Sequence, residues 1–439
     1  MPAIRIDRVL AREVLDSRGK PTVGAEVICS DGSRGLALVP SGASTGKAEA
    51  VELRDGDAGR FDGQGVRQAV ANVTEVLGPA VLGMDVADQA AIDERMIDLD
   101  GTPQKSWLGA NAILGISLAA AHAAAAAQRV PLYQHINRLW RELPGPALPA
   151  DQAVPRMPVP MTNMISGGLH AGGNLDFQDF LISPTGAPDY ATGLEWTVRV
   201  YRRLGGLLHD GGFEGRLVGD EGGYGPRLPS NRSAAEFVVR AIEAAGLRPG
   251  RDVMLNLDVA ATHFWDGKQY RLSNGRSERS EEPPAPPLTT DQMIDELAAL
   301  ADKFPILSIE DGLAEEDWSG WQGLTDRIGE RVILIGDDLF ATNIDRLRRG
   351  IQSGVAKGVL VKVNQVGTLT ETLQTMRLAA AAGYVRVVSA RSGETEDTTI
   401  ADLAVGTAAQ QIKIGSIARS ERLAKYNRLL RIAEGGERF

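Results

Sequence analysis

Three apolar runs in the second half of this chain end in acid: LNLD at Asp258, LSIE at Glu310 and LIGD at Asp337. Each run has the length of a short buried strand, so each carboxylate falls where a strand gives way to a loop. Like charges brought together repel unless a cation lies between them. Three hard oxygen ligands completed by water describe a magnesium site. The alternative is local: aspartate is a good helix N-cap, and strand-end acids pair readily with Arg or Lys. Zinc fits less well. Of five histidines only His170 and His263 stand at suggestive positions, the single cysteine is Cys29, and there is no His-Glu-x-x-His.

Two lysines interrupt apolar runs in the same region. In VLVKVNQ, Lys362 alternates with valines and, on a continuous strand, shares a face with Leu360 and Asn364. Beside a divalent cation its ammonium would lose a proton more easily, which makes it a candidate base; a salt-bridged structural lysine is the alternative. Lys413 in QIKIGS repeats the pattern, and two ammonium groups in one interior are expected to lower each other's proton affinity. A proton donor would come from the loops. VGDEGG sets Glu221 before two glycines, and ISGGLHAGGNLDFQDF supplies His170 and Asp179, although glycine-flanked turns also arise for geometry alone. Behind the run VRVVS, the segment SARSGETEDTT offers Arg391 and Ser392 to an anion, with the bare methyl of Ala390 beside them. PSGASTGKAEA could close over a phosphate with backbone N–H groups and the hydroxyls of Ser41, Ser44 or Thr45, but it has no Walker ending.

Something must hold these groups together. Residues 4–39 alternate in short runs separated by SRGKP and SDGS and read as an antiparallel meander. Helical patterns follow near 66–77, 85–98 and 107–128, with a short helix in VPLYQHINRLW, and ELPGPALPADQAVPR makes a plausible boundary. The expected domains are 1–145, α+β, and 146–439. In the second, strand-like runs (PVPMTNMI, FQDFLISP, GRLVGDEGG, DVMLNLDVA and five more) alternate with helices at 191–209, 233–246, 290–303 and 368–382. Around eight such units suit a closed α/β barrel better than a dinucleotide-binding sheet, with an irregular, partly antiparallel start at FQDFLISP. Residues 271–288 read as a solvated surface loop.

The 439 residues carry a formal charge of -10 from 57 acidic and 47 basic side chains, so nucleic acid and anionic membrane are not natural partners. An anionic small substrate would need a locally basic pocket. One cysteine excludes an intrachain disulfide, no leader pattern opens the chain, and no run reaches the roughly 18 uncharged apolar residues of a membrane span, all of which points to the cytoplasm.

Ten ordered segments carry a resemblance: EVLDSRGKPTV, VPSGASTG, LGANAILGISLA, VGDEGG, LDVAAT, SIEDG, GDDLFATN, KVNQVGTLTE, SARSGETEDT and ARSERLAKYNRLLRI. Along nearly the whole chain the sequence resembles enolase. The resemblance implies an N-terminal α+β capping domain on an irregular eight-stranded α/β barrel, a homodimer or dimer-based oligomer, and two Mg2+ ions that bind the carboxylate and phosphate of 2-phosphoglycerate. Carried over by position, Asp258, Glu310 and Asp337 would hold the first ion and Ser44 would contribute to the second. Lys362 would take the C2 proton, and Glu221, with His170 and Asp179, would help the C3 hydroxyl leave. Lys413 would steady the substrate carboxylate region, and Arg391 and Ser392 would hold phosphate.

This chain also departs from the family pattern. Ala390 stands where the family has histidine, Asp179 where it has the longer glutamate, Gly312 where it has proline, Tyr224-Gly225 where it has Phe-Ala, and Gly24 where an acidic dimer contact is usual. The ligand and base positions match while the wall around the phosphoryl group differs. That combination implies either ordinary interconversion of 2-phosphoglycerate and phosphoenolpyruvate, or a specialised reaction in which a bulkier phosphonate, phosphonoformate, is the partner, as in the family's phosphonate-pathway relatives. A weakly active binding scaffold is the remaining reading.

Overall fold

The computed structural model describes residues 3–42, 48–273 and 286–435. Residues 4–39 fold as the expected meander, with β1 (Ile6–Leu15), β2 (Pro21–Cys29) and β3 (Arg34–Leu38) antiparallel in that order. Against one face lies the alanine-rich helix Ala110–Gln128. Small residues set its approach: a Cβ on Gly35 of β3 would fall 2.1 Å from the Ala119 carbonyl oxygen, and one on Gly115 3.1 Å from the Ala25 Cβ. Among the described residues this is the one helix long and apolar enough to cross a membrane, and most of it is buried within the fold. The segment near 66–77 is helical in three joined pieces, Arg67–Ala71, the wider turn Asn72–Leu77 and Gly78–Val81.

Eight strands close the second unit: β4 (Val159–Ser166), β5 (Asp179–Ser183), β6 (Met254–Asp258), β7 (Ile306–Glu310), β8 (Ile333–Gly336), β9 (Gly358–Val361), β10 (Val385–Ser389) and β11 (Gln411–Gly415). The order around the barrel is β10-β11-β4-β5-β6-β7-β8-β9. All neighbours are parallel except β4–β5 and β5–β6, so β5 runs against the rest, as the irregular start of the barrel pattern anticipated. The reversal has a consequence for the site: the first residue of β5, Asp179, pairs with the last of β6, Asp258, and therefore sits on the rim where the other strands end. Helices Tyr190–Asp210, Asn231–Ala244, Thr290–Lys303 and Leu369–Ala381 lie within a residue or two of the expected ranges.

Two strand readings fail. GRLVGDEGG is a loop, folded on itself by Gly219 N–H donating to the Gly223 carbonyl (2.8 Å) and held to β4 by Ser166 N–H donating to Tyr224 O (2.8 Å). The strand at 358 ends at Val361. Lys362 caps a single helical turn, Val363–Val366, so Asn364 does not share a strand face with it. In both places glycine and polar residues let the chain turn once the apolar run is spent. The surface-loop reading of 271–288 falls largely on residues 274–285, outside the described residues.

Candidate active site

Asp258 and Glu310 are adjacent in register at the ends of β6 and β7, and Asp337 directly follows β8. All three are buried. Into them reaches Lys413, from β11 across the barrel: its Nζ donates to Asp258 Oδ2 at 2.7 Å and to both Glu310 oxygens at 2.8 Å, which uses all three ammonium hydrogens. Gln178 Nε2 donates to Asp258 Oδ2 (3.0 Å) and Gln365 Nε2 to Asp337 Oδ1 (3.1 Å). Burial and the charges of Asp258 and Asp337 push Glu310 well above the usual carboxylate range, in spite of Lys413. Behind them Asp311, in the left-handed region at φ 42, accepts the N–H groups of Asp337 (2.9 Å) and Asp338 (2.8 Å) and so shapes the turn that presents both.

Lys362 pairs with Asp337 Oδ2. Burial alone would depress this lysine, but the Asp337 carboxylate prevails and its pKa is raised. Lys413 is raised further, by Asp258 and Glu310 against its own burial. The expectation that the two ammonium groups would lower one another is therefore reversed: the carboxylates in contact with each lysine outweigh burial and raise it. Arg391 is also buried. Its Nη1 donates to Glu49 Oε2 (3.0 Å) and to Asn364 Oδ1 (2.9 Å), so the turn that removed Asn364 from the strand brings it to the anion loop.

That loop is clamped from both sides. Arg422 donates to the carbonyls of Arg391 (2.7 Å) and Ser392 (2.8 Å), while Lys425 pairs with Glu394 (2.7 Å) and donates to Thr395 O (2.7 Å). From the N-terminal unit, Ser41 and Gly393 exchange both backbone hydrogen bonds (2.8 and 3.0 Å), and Arg18 Nη1 reaches Ser392 Oγ at 3.4 Å. Only glycine fits at 393, since a Cβ there would lie 2.4 Å from Asp16 Oδ2 and 2.5 Å from Ser41 Oγ. Ala390 stands on the cleft wall between Ser389 and Arg391, its N–H donating to the Lys413 carbonyl (2.8 Å).

The loop acids and the histidine meet on the opposite side. His170 Nδ1 is 2.9 Å from Asp179 Oδ2, and its Nε2 is 3.9 Å from Glu221 Oε1. Asp179 also accepts from Asn163 Nδ2 (2.5 Å). Burial would strip the proton from His170, but Asp179 and Glu221 outweigh it and raise its pKa to about 9. Burial lifts Asp179 to about 6 despite the imidazolium beside it. Burial opposes ionisation of Glu221 as well, yet His170, Arg422 and Lys413 bring its pKa below the usual value. The arrangement is an imidazolium held between two carboxylates.

Both sides line one cleft of about 600 Å³ including its open mouth, with Glu49, Gln178, Asp311, Asp338, Ser389 and His263 among its walls. Asp179 and Glu310 touch the cleft groups through His170 and Lys413. Among the described residues the closest-set acidic groups are His170–Asp179–Glu221 and Asp311–Asp337–Asp338, each with potential ligand atoms within 4.8 Å of one another. Ser44 and Thr45 lie outside the described residues. Local patterning missed Glu49, Gln178, Gln365, Arg18 and Arg422. The Glu49 partner lies 342 residues away, and no short spacing encodes such a pair.

The rim of a capped α/β barrel thus joins buried acids, the buried Lys413, the half-buried Lys362 and a buried guanidinium. Comparison with known families agrees: the enolase N-terminal domain matches residues 6–136, and the enolase C-terminal TIM barrel domain matches residues 155–437. The chain belongs to the enolase family, and the class of protein is an enolase-superfamily enzyme.

Proposed function

We propose that the protein is a magnesium-dependent enzyme acting on 2-phosphoglycerate or phosphoenolpyruvate, and that it joins the three-carbon unit to phosphonoformate to give carboxyphosphonoenolpyruvate, as in the biosynthesis of phosphonate or phosphinate natural products. From phosphoenolpyruvate the C2 oxygen exchanges its phosphoryl group for the phosphorus of phosphonoformate: the bond from the C2 oxygen to the phosphoryl phosphorus breaks, the phosphoryl group takes the oxygen that phosphonoformate loses and leaves as inorganic phosphate, and the C2 oxygen bonds the phosphonate phosphorus. The observation that carries the specialised reading is Ala390, a methyl on the cleft wall beside a rigidly clamped Arg391 and Ser392. The wall keeps its fixed donors and leaves room beside them.

The donor set fits magnesium. Three buried carboxylates stand at neighbouring strand ends, burial and the charges of Asp258 and Asp337 raise the proton affinity of Glu310, and hard anionic oxygens are what this ion takes. Asp258, Glu310 and Asp337 would hold one ion, and Ser44 would contribute to a second. When bound, the ions would stabilise negative charge developing on the substrate carboxylate.

Lys362 must part from Asp337 and give up a proton before it can take one from C2. His170 carries a proton at Nε2 near Glu221, so the pair can deliver it to a departing C3 hydroxyl. Lys413 and Arg391 orient the two anionic ends of the substrate. These same groups support the second reading, ordinary interconversion of 2-phosphoglycerate and phosphoenolpyruvate. In a pure replacement at phosphoenolpyruvate, Lys362 would act only as a cation near the enolate oxygen.

One experiment separates the readings. The protein and magnesium are incubated with 2-phosphoglycerate or phosphoenolpyruvate, with and without phosphonoformate, and the phosphorus species followed by NMR. A carboxyphosphonate ester signal that needs every component supports the synthase. Rapid hydration and dehydration with no new species supports ordinary enolase, and bound substrate with no turnover supports the scaffold. Ala390→His should exclude phosphonoformate; equal synthase turnover in that variant would remove the space-making account. Subunit pairing through the N-terminal sheet, whose outer side leaves Leu36 half exposed, is part of the same proposal and is checked by sedimentation at micromolar concentration.

A further inference from the structure

Five basic side chains line the cleft: Lys362, Lys413, Arg391, His170 and His263. Four already face a carboxylate. Lys362 has Asp337, Lys413 has Asp258 and Glu310, Arg391 has Glu49, and His170 has Asp179. His263 differs, because its ring has no hydrogen-bond or ion-pair partner among the described residues. An incoming anion must compete with a carboxylate for each of the other four. At His263 no described side chain occupies the ring nitrogens, and the Asp258 and Asp337 carboxylates act on the ring only through their charge.

The imidazole is also placed with care. After Asp258 the chain turns at Ala260, a left-handed residue (φ 48, ψ 48), into the tight turn Ala261–Phe264. That turn is pinned to the neighbouring strand end by Ala261 N–H donating to Asp311 O (3.1 Å) and Glu315 N–H donating to Thr262 Oγ1 (3.0 Å). On its far side Phe264 and Trp265 pack against the buried ring of Tyr270, at 6.1 and 4.4 Å between centroids. Backbone strain, two cross-strand hydrogen bonds and an aromatic cluster all fix a turn whose one polar tip at the cleft is exposed and unused by the fold. A rigid donor of this kind costs little ordering when a ligand arrives.

We propose that His263 is a specificity-determining residue, the donor at the cleft mouth that binds the phosphorus oxyanion of the incoming acid, whether a phosphate ester or a phosphonate. This rests on the reading of the substrate as a phosphorus-containing acid, and it deepens that reading by naming the group on the mouth side. An imidazole suits the position: its N–H donates to a tetrahedral oxyanion, and it adds no fixed charge to compete with the ions the acids attract.

The test uses the full-length protein with magnesium. With five histidines in the chain, the ring signals are few enough to resolve by NMR, and His263→Gln identifies the one in question. Phosphoenolpyruvate and phosphonoformate are titrated separately. A saturable shift of the His263 signal with either anion is expected, and which anion moves it tells phosphate ester from phosphonate. His263→Ala should weaken that anion about tenfold by calorimetry, the scale of one hydrogen bond to a charged group, with the loss on KM rather than kcat and the melting temperature unchanged. His263→Gln, which keeps a donor, should recover most of the affinity. A signal unmoved by both anions, or an alanine variant that binds both as the parent does, overturns the proposal. The phosphonate reading fails separately, if the parent enzyme makes no new phosphorus species.

Discussion

The acid ends of β6, β7 and β8 and the cationic side of β9, β10 and β11 share one rim but are built differently. Each acid is delivered by its own strand: Asp258 and Glu310 are terminal strand residues and Asp337 is the next one on. The cations find their partners at a distance. Lys413 crosses from β11 to β6 and β7, and Arg391 is set by Glu49 of the other unit and by carbonyl contacts from Arg422 in the C-terminal helix. A carboxylate at a strand end needs only a correct strand. A buried cation needs a partner in place, because an unpaired charge in this interior is costly.

The largest effect should come from breaking the pair that performs chemistry. Lys362→Ala should abolish exchange of the C2 proton of 2-phosphoglycerate with deuterated solvent, lowering turnover by about 10²–10⁴ while leaving magnesium binding largely intact. Exchange at an undiminished rate would move the base to Lys413. Next in size is the purely electrostatic break. Lys413→Ala leaves Asp258 and Glu310 facing each other, a loss of about 3–5 kcal/mol for a broken buried pair, visible in urea unfolding. Magnesium should restore part of it, since the ion binds the folded acids and not the unfolded chain. No recovery with magnesium would show that these acids are not its ligands.

A smaller effect sharpens the comparison on the loop side. In Asp179→Asn the His170 ring should titrate well below its value of about 9, as followed by ring NMR against pH. The sign follows from linkage: a raised histidine pKa contributes stability below the ordinary imidazole range and loses it as pH rises through about 9. Elevation of Asp179 to about 6 has the same sign at lower pH, stability falling as pH rises through about 6, so the ring signal of His170 rather than the stability curve separates the two. The smallest effect should be Glu49→Gln. It keeps an acceptor for Arg391 and removes the charge, and a change of about threefold to tenfold in KM with little change in kcat would mark Glu49 as a positioning residue.

Much of this could be read from the chain. Asp258, Glu310, Asp337, Lys362 and Lys413 stand out because each ends or interrupts a short apolar run, and strand periodicity puts such residues at a rim or in an interior. The reversed β5 is visible in FQDFLISP, while the loop at GRLVGDEGG reads as a strand because four glycines and a brief apolar pair look alike in either setting. Asn364 was misplaced by the same rule of alternation that found Lys362, because the rule does not say where the strand stops.

The sequence by itself determined which residues carry charge into the barrel and roughly which strand delivers each, since both follow from composition and period over a few residues. Only the tertiary structure decided how those charges pair: Lys413 to Asp258 and Glu310, Lys362 to Asp337, Arg391 to Glu49, and His170 between Asp179 and Glu221. It also decided that both lysines hold their protons more tightly than free lysine. Proton affinity depends on burial and on the charges within a few ångströms, and closure of the barrel together with the packing of the N-terminal unit on its rim brings those together from positions as far apart as 49 and 391.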